Sequence, residues 1–288
     1  MKCKIIILLV FSFNIVCSQN IRKIAREGNK QYSDSLYNQA EISYRKSLSN
    51  NGDSVTSNTV KFNLTNSLYR QSKYDESIGL LNDVLINTED TVLKSEVYYN
   101  LGNTLKKLIR LEEAEINYTK AISLKSDFSQ AHNNLGITLK DQGKLEEAEA
   151  SYKQAISLKP DYVDAHNNLG VTLNALGRLE EAEASFKQSI KLKPDFAEAC
   201  VNLGNVLRAQ GRLKDAEKNY LKAIAIMSDY LEAYDNLGFT LVELRKLEEA
   251  AKVYKKVIEL KPDYADARIN LEKTMQSIVP AWHISMMN

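Results

Sequence analysis

Seven asparagines recur at one place in this chain: Asn63, Asn100, Asn134, Asn168, Asn202, Asn236 and Asn270, each directly before a leucine. A carboxamide is both donor and acceptor, which matches the N–H and C=O of an extended peptide backbone. Asparagine is a mediocre helix former, so propensity does not explain its recurrence. A ladder of such groups grips backbone rather than side chains. Each bond contributes only ~0.5–1.5 kcal/mol net, and ordering a flexible guest offsets part of the sum. The competing explanation is that these asparagines bridge neighbouring helices, or record duplication of one unit. Asn133 and Asn167 are expected on the same outward side as the ladder. Glu96, Gln130, Asp164, Glu198, Glu232 and Asp266 give that side an acidic edge, with Lys106, Lys140 and Arg208 as scattered positive charge. A guest with some basic residues fits.

Catalytic and metal chemistry has weaker footing. His132 and His166 stand 34 residues apart, where Tyr98 and Tyr234 occur in other units. A metal site needs two further ligands, so satisfied core histidines are the better reading. Glu112–Glu113, Glu146–Glu147 and Glu180–Glu181 are neighbours in sequence, hence splayed apart on a helix, and they recur where helices begin. They are helix-start charges rather than an acid/base pair. Nine of the 11 glycines fall at two recurring positions, which leaves none for a phosphate-cradling loop. No catalytic residue, cofactor or metal is expected.

The elements that position these residues follow from a period of 34. Leu101–Gly102, Leu135–Gly136, Leu169–Gly170, Leu203–Gly204 and Leu237–Gly238 keep it without a slip, as do Ala114, Ala148, Ala182, Ala216 and Ala250. Tyr118, Tyr152, Phe186, Tyr220 and Tyr254 follow four residues after those alanines. Within one unit, Leu135, Gly136 and Leu139 share a helical face, while Leu145, Ala148, Tyr152 and Ala155 make the stripe of a second helix. Gly143 and Lys144 connect the two, and Lys159–Pro160–Asp161 ends the second, because proline disfavours helical geometry in its predecessor. Two looser units precede, each three residues longer. Asn63, Leu64, Leu68, Tyr74, Ser77 and Leu81 mark one, and Gly28, Ala40, Tyr44 and Leu48 the other.

This pattern resembles the tetratricopeptide repeat (TPR). The resemblance implies an all-α, right-handed α-solenoid of about seven helical hairpins plus a C-terminal capping helix, with a concave face that takes protein or peptide. The ladder is similar to that in the repeat arm of O-linked N-acetylglucosamine transferases, where such asparagines contact substrate peptides. The lysines with which other TPR proteins clamp a C-terminal carboxylate are missing, their places held by Tyr99, Asn133, Asn167 and Val201.

The organisation expected is a signal peptide over 1–18, two degenerate units over 21–91, five regular units over 95–264, a cap over 265–279 and a tail over 280–288. Lys2 and Lys4 precede an apolar run of about a dozen residues, too short for the ~20 of a spanning helix. Cleavage near Ser18 sends the protein to the periplasm or outside the cell; acylation at Cys17 is the one route to a membrane. Losing Lys2 and Lys4 from 38 basic residues leaves 36 against 37 acidic ones, a neutral balance that argues against a nucleic-acid partner. Cys200 is then a lone thiol, so packing must hold the fold. The tail, with Pro280, Trp282 and His283, resembles a junction from such repeats into a methyltransferase-like domain. Two functions compete: a non-enzymatic binding scaffold, for which the N-terminal units resemble repeat proteins of bacterial aerotolerance operons, or the substrate-recognition arm of a larger TPR-fused transferase.

Overall fold

The protein is described by a computed structural model over residues 21–49 and 54–278. The leader, the centre of the loop after Leu48 and the tail from residue 279 lie outside the described residues. The described residues form fifteen helices and no strand. They are α1 (residues 21–33), α2 (Tyr37–Leu48), α3 (Ser54–Arg70), α4 (Tyr74–Asn87), α5 (Thr91–Lys107), α6 (Leu111–Leu124), α7 (Ser129–Asp141), α8 (Leu145–Leu158), α9 (Val163–Ala175), α10 (Leu179–Leu192), α11 (Ala197–Ala209), α12 (Leu213–Ile226), α13 (Leu231–Glu243), α14 (Leu247–Leu260) and α15 (Ala265–Ile278). Odd and even helices alternate as the first and second arms of hairpins, and α15 stands last without a second arm. The all-α hairpin architecture expected from the period is the one observed. Among the described residues no helix is long and apolar enough to cross a membrane.

The chain divides into two compact units, one ending at Gly143 and the other beginning at Lys144. In the N-terminal unit, α2 through α6 each pack on the next helix in the chain, and α5 also touches α7. In the C-terminal unit the same succession runs from α8 to α15, with α11 touching both α9 and α13. Each second arm except α4 buries a small residue and an aromatic ring one turn apart, as with Ala114 and Tyr118 on α6, Ala182 and Phe186 on α10, and Ala216 and Tyr220 on α12; α4 has Ser77 and Leu81 in those places. The first arm must be thin where the ring arrives. A Cβ on Gly204 would lie 2.5 Å from Cε1 of Tyr220, closer than packed carbon atoms approach.

The turn between arms needs one residue at positive φ. Gly143, Gly177 and Gly211 supply it at φ 79, 74 and 75°. Ser35, Ser72, Ile109 and Arg245 hold the same place near 60° without being glycine. Ile109 is the costly one, because a β-branched side chain is poorly tolerated there. It is also 80% exposed, so no burial offsets that strain.

Candidate functional site

All seven ladder asparagines lie on first arms and are half-buried. Their carboxamides are partly spent inside the protein. Asn63 donates from Nδ2 to Oδ1 of Asn29 at 3.0 Å, Asn100 to Asn66 at 2.8 Å, and Asn134 to Asn103 at 2.9 Å and to the Tyr99 hydroxyl at 3.1 Å. Asn202 donates to Oδ1 of Asn167 at 3.1 Å. Each bond runs from one first arm to the first arm of the preceding hairpin. The Tyr44 and Tyr118 hydroxyls donate into the same acceptors, Asn29 and Asn103, both at 2.8 Å. Burial pushes the Tyr44 phenol up to about 12 and that of Tyr118 further still, so both stay protonated donors across the ordinary pH range. The carbonyl side differs. Oδ1 of Asn63, Asn100 and Asn202 meets no protein donor among the described residues, while that of Asn134 accepts from Asn133 at 3.2 Å. The side chains of Asn236 and Asn270 make no hydrogen bond among the described residues.

In the N-terminal unit these groups line open space. A depression of about 360 Å³ is bounded by Tyr32, Asn66, Tyr69, Arg70, Asn100 and Asn134, among others, and one of about 260 Å³ by Asn29, Tyr32, Tyr44, Asn63 and Asn66. In the C-terminal unit Asn270 borders a hollow of about 210 Å³ with Phe239, Glu243, Tyr254 and Lys273.

Asn133 and Asn167 do not face outward as expected; they are 4% and 2% exposed. Asn167 donates an N–H to Oε1 of Glu198, on the following first arm, at 3.1 Å, and accepts from Asn202. For Asn167, helical angle alone missed the neighbouring first arm on that side. Lys140 lies 3.6 Å from Asp141, and Lys106 lies 3.8 Å from the same carboxylate. Burial lowers the Lys106 pKa. Arg208 reaches Glu243 at 3.9 Å and lies 5.9 Å from the Phe239 ring centroid. Asp164 and Glu198 are exposed.

The structure also contains a ladder that sequence reasoning missed. On second arms, Glu149 and Glu183 are 8% and 9% exposed. Arg178 reaches Glu149 at 2.6 Å, Arg212 reaches Glu183 at 2.8 Å, and Lys246 reaches Glu217 at 2.6 Å, each cation coming from the turn of the following hairpin. Glu41 and Lys73 repeat the pair at 2.7 Å near the other end. The signal was legible: an acid just after the small residue, and a base 29 residues on in the regular units. Hydrogen bonds from Lys153 and then Arg178 hold the Glu149 carboxyl below its ordinary range; for Glu183 burial pushes upward, and Lys187 with Arg212 outweighs it.

The histidines close turns. Nε2 of His132 and His166 donates to the carbonyls of Ser126 and Pro160, at 3.3 and 3.0 Å, as the Tyr234 hydroxyl does to Ser228 at 3.2 Å. Burial lowers the His132 pKa, in keeping with a neutral ring. Among the described residues no group of acids, histidines and cysteines could hold a metal ion.

Family profiles described as tetratricopeptide repeat match residues 95–128, 117–150, 163–196 and 195–263, and one described as TPR repeat matches 138–177. The chain belongs to the tetratricopeptide-repeat family. Among solved structures, this TPR protein is similar to the C-terminal part of a TPR repeat-containing protein from Cytophaga hutchinsonii, at 17% identity and a TM-score of 0.67, covering 85% of this chain and 98% of that one. A tetratricopeptide repeat protein from Parabacteroides merdae matches at 16% identity and a TM-score of 0.64, over 89% and 99% of the two chains. YrrB, described as a TPR protein with an unusual peptide-binding site, matches at 24% identity and a TM-score of 0.54, over 65% and 94%. At such identities these likenesses speak to the TPR fold alone. No curated protein sequence matches this TPR chain significantly.

Proposed function

We propose that this TPR protein is a non-enzymatic scaffold that holds another protein through an extended segment, using the asparagine-lined depression of its N-terminal unit. The observation that carries this reading is the conjunction there of open space with amide groups whose carbonyls have no protein donor, at Asn63 and Asn100. One amide N–H of each is engaged between hairpins, so the carbonyl and the second N–H remain to meet a guest. An extended guest supplies N–H groups to match. The peptide-binding site named for YrrB is in keeping with this use of the fold. Few strong contacts and an ordering cost together suggest an affinity around micromolar.

The apolar leader supports delivery to the periplasm or the outside, with Cys17 as the one route to membrane attachment. Exported protein whose N-terminal residue is Gln19 would bear this out, and cytoplasmic retention of the intact chain would refute it.

For binding, the full chain is screened against an array of unstructured peptides. Asn63→Ala combined with Asn100→Ala should weaken capture about ten-fold, from two lost bonds of ~0.5–1.5 kcal/mol each, with helical circular dichroism retained. Equal capture by the double variant removes the ladder from the binding site.

A further inference from the structure

The same depression has a chemical bias that peptide-backbone recognition does not explain. Ten residues line it, none of them acidic, and one is a cation, Arg70. The other arginines of the neighbouring second arms and turns are paired: Arg45 with Glu41 and Glu76, Arg110 with Glu113. Arg70 has no carboxylate partner among the described residues. Its Nε makes one long contact with the Tyr32 hydroxyl, at 3.5 Å, and the guanidinium carbon stands 6.0 Å from the Tyr37 ring centroid. Its two terminal Nη groups have no protein acceptor among the described residues.

Tyrosines form the frame. Tyr32 and Tyr37 meet edge to face at 5.4 Å, and Tyr69 and Tyr74 do the same at 5.6 Å. Tyr32 and Tyr69 also line the depression. A planar guanidinium held on one side by a phenol, with its fork unoccupied, is built to receive two oxygens in one plane.

We propose that Arg70 anchors a carboxylate of the bound segment, so that the N-terminal unit selects acidic over neutral or basic guests. This rests on the reading of the depression as a peptide site and names the guest's chemistry. It also differs from the sequence expectation of a basic guest, since the acidic residues behind that expectation do not border this depression. The carboxylate can come from an Asp or Glu side chain or from a chain terminus. Arg70 is exposed, so solvent and salt weaken the pair and set a modest preference.

The test uses the full chain and four fluorescent Gly/Ser heptapeptides: one with a central Asp and an amidated end, the same with Asn, the same with Lys, and the Asn peptide with a free C-terminal carboxylate. Fluorescence anisotropy should show the Asp or the free-carboxylate peptide binding about five-fold more tightly than the amidated Asn peptide at low salt. Whichever gains identifies the source. Arg70→Gln should abolish that gain and leave the amidated Asn peptide unchanged, while Arg70→Lys keeps part of it. Equal affinities across the set, or a uniform loss in Arg70→Gln, overturn the anchor and leave the amide groove standing. Failure of all four peptides to bind the unmodified chain overturns both.

Discussion

The two compact units fasten one hairpin to the next with different polar chemistry. In the N-terminal unit amide fasteners join three successive pairs of first arms, Asn63 to Asn29, Asn100 to Asn66 and Asn134 to Asn103, with Tyr44 and Tyr118 donating from the second arms, beside the charged pairs Glu41–Lys73 and Arg45–Glu76. In the C-terminal unit Val171 and Phe239 occupy two of the acceptor positions, one amide fastener runs from Asn202 to Asn167, and the Glu149–Arg178, Glu183–Arg212 and Glu217–Lys246 pairs do most of the joining. A shared apolar core therefore tolerates either chemistry. The neutral version leaves carbonyls facing open space, whereas the charged version sits on second arms, away from the first-arm asparagines. That difference is why the binding proposal falls on the N-terminal unit.

The comparison assumes that ring packing is common to both units, so its strongest test is truncation of a ring in each. Tyr118→Ala and Tyr220→Ala should each cost ~3–5 kcal/mol in urea melts, since both rings are fully buried. A large inequality would mean that the two cores are not equivalent. Next in size, Gly204→Ala should cost ~1–3 kcal/mol, because the added methyl collides with the Tyr220 ring. Ile109→Gly should do the reverse and stabilise the N-terminal unit by about 1 kcal/mol, by relieving positive φ at an exposed β-branched residue. Removing one hydroxyl sharpens the neutral side: Tyr118→Phe loses its bond to Asn103 and should cost about 1 kcal/mol. Tyr254→Phe, with no hydroxyl bond among the described residues, should cost less.

The charged side predicts a pH dependence. Glu149 and Glu183 have folded pKa values below their ordinary 4.5, so their contribution is complete above the unfolded value and is lost as pH falls through the folded one. Melting temperature should thus drop below about pH 4.5, and Glu149→Gln with Glu183→Gln should flatten that acid limb. An unchanged limb would assign acid sensitivity to other carboxylates, Glu41 and Glu113 being candidates in the N-terminal unit.

The fold was legible because its cause is periodic: small residue, glycine and ring recur at fixed spacing, and each has one packing role. The looser units were legible too, since Gly28 meets Tyr44 as Gly102 meets Tyr118. The site was only half legible. Position along the helix identified the ladder asparagines, but not that their N–H groups reach partners 31 to 35 residues away. Such partners depend on how adjacent first arms abut, which helical angle does not specify. For the same reason Asn133 and Asn167 read as surface and proved buried. The acid–base pairs of second arms went unread although their spacing is regular, because helix-start charge was a sufficient explanation for the glutamates that stand beside them. Arg70 stood in a unit of irregular length, where alignment with the regular repeats offers no neighbour to compare.

Leu81 stands where the other hairpins carry a ring, and so no hydroxyl reaches the acceptor opposite it, Asn66. An amide oxygen has two lone pairs, and Asn100 uses one. Asn66 can therefore take a visitor's N–H without any native bond being broken, which makes entry there cheaper than at Asn29 or Asn103, both of which already serve two donors.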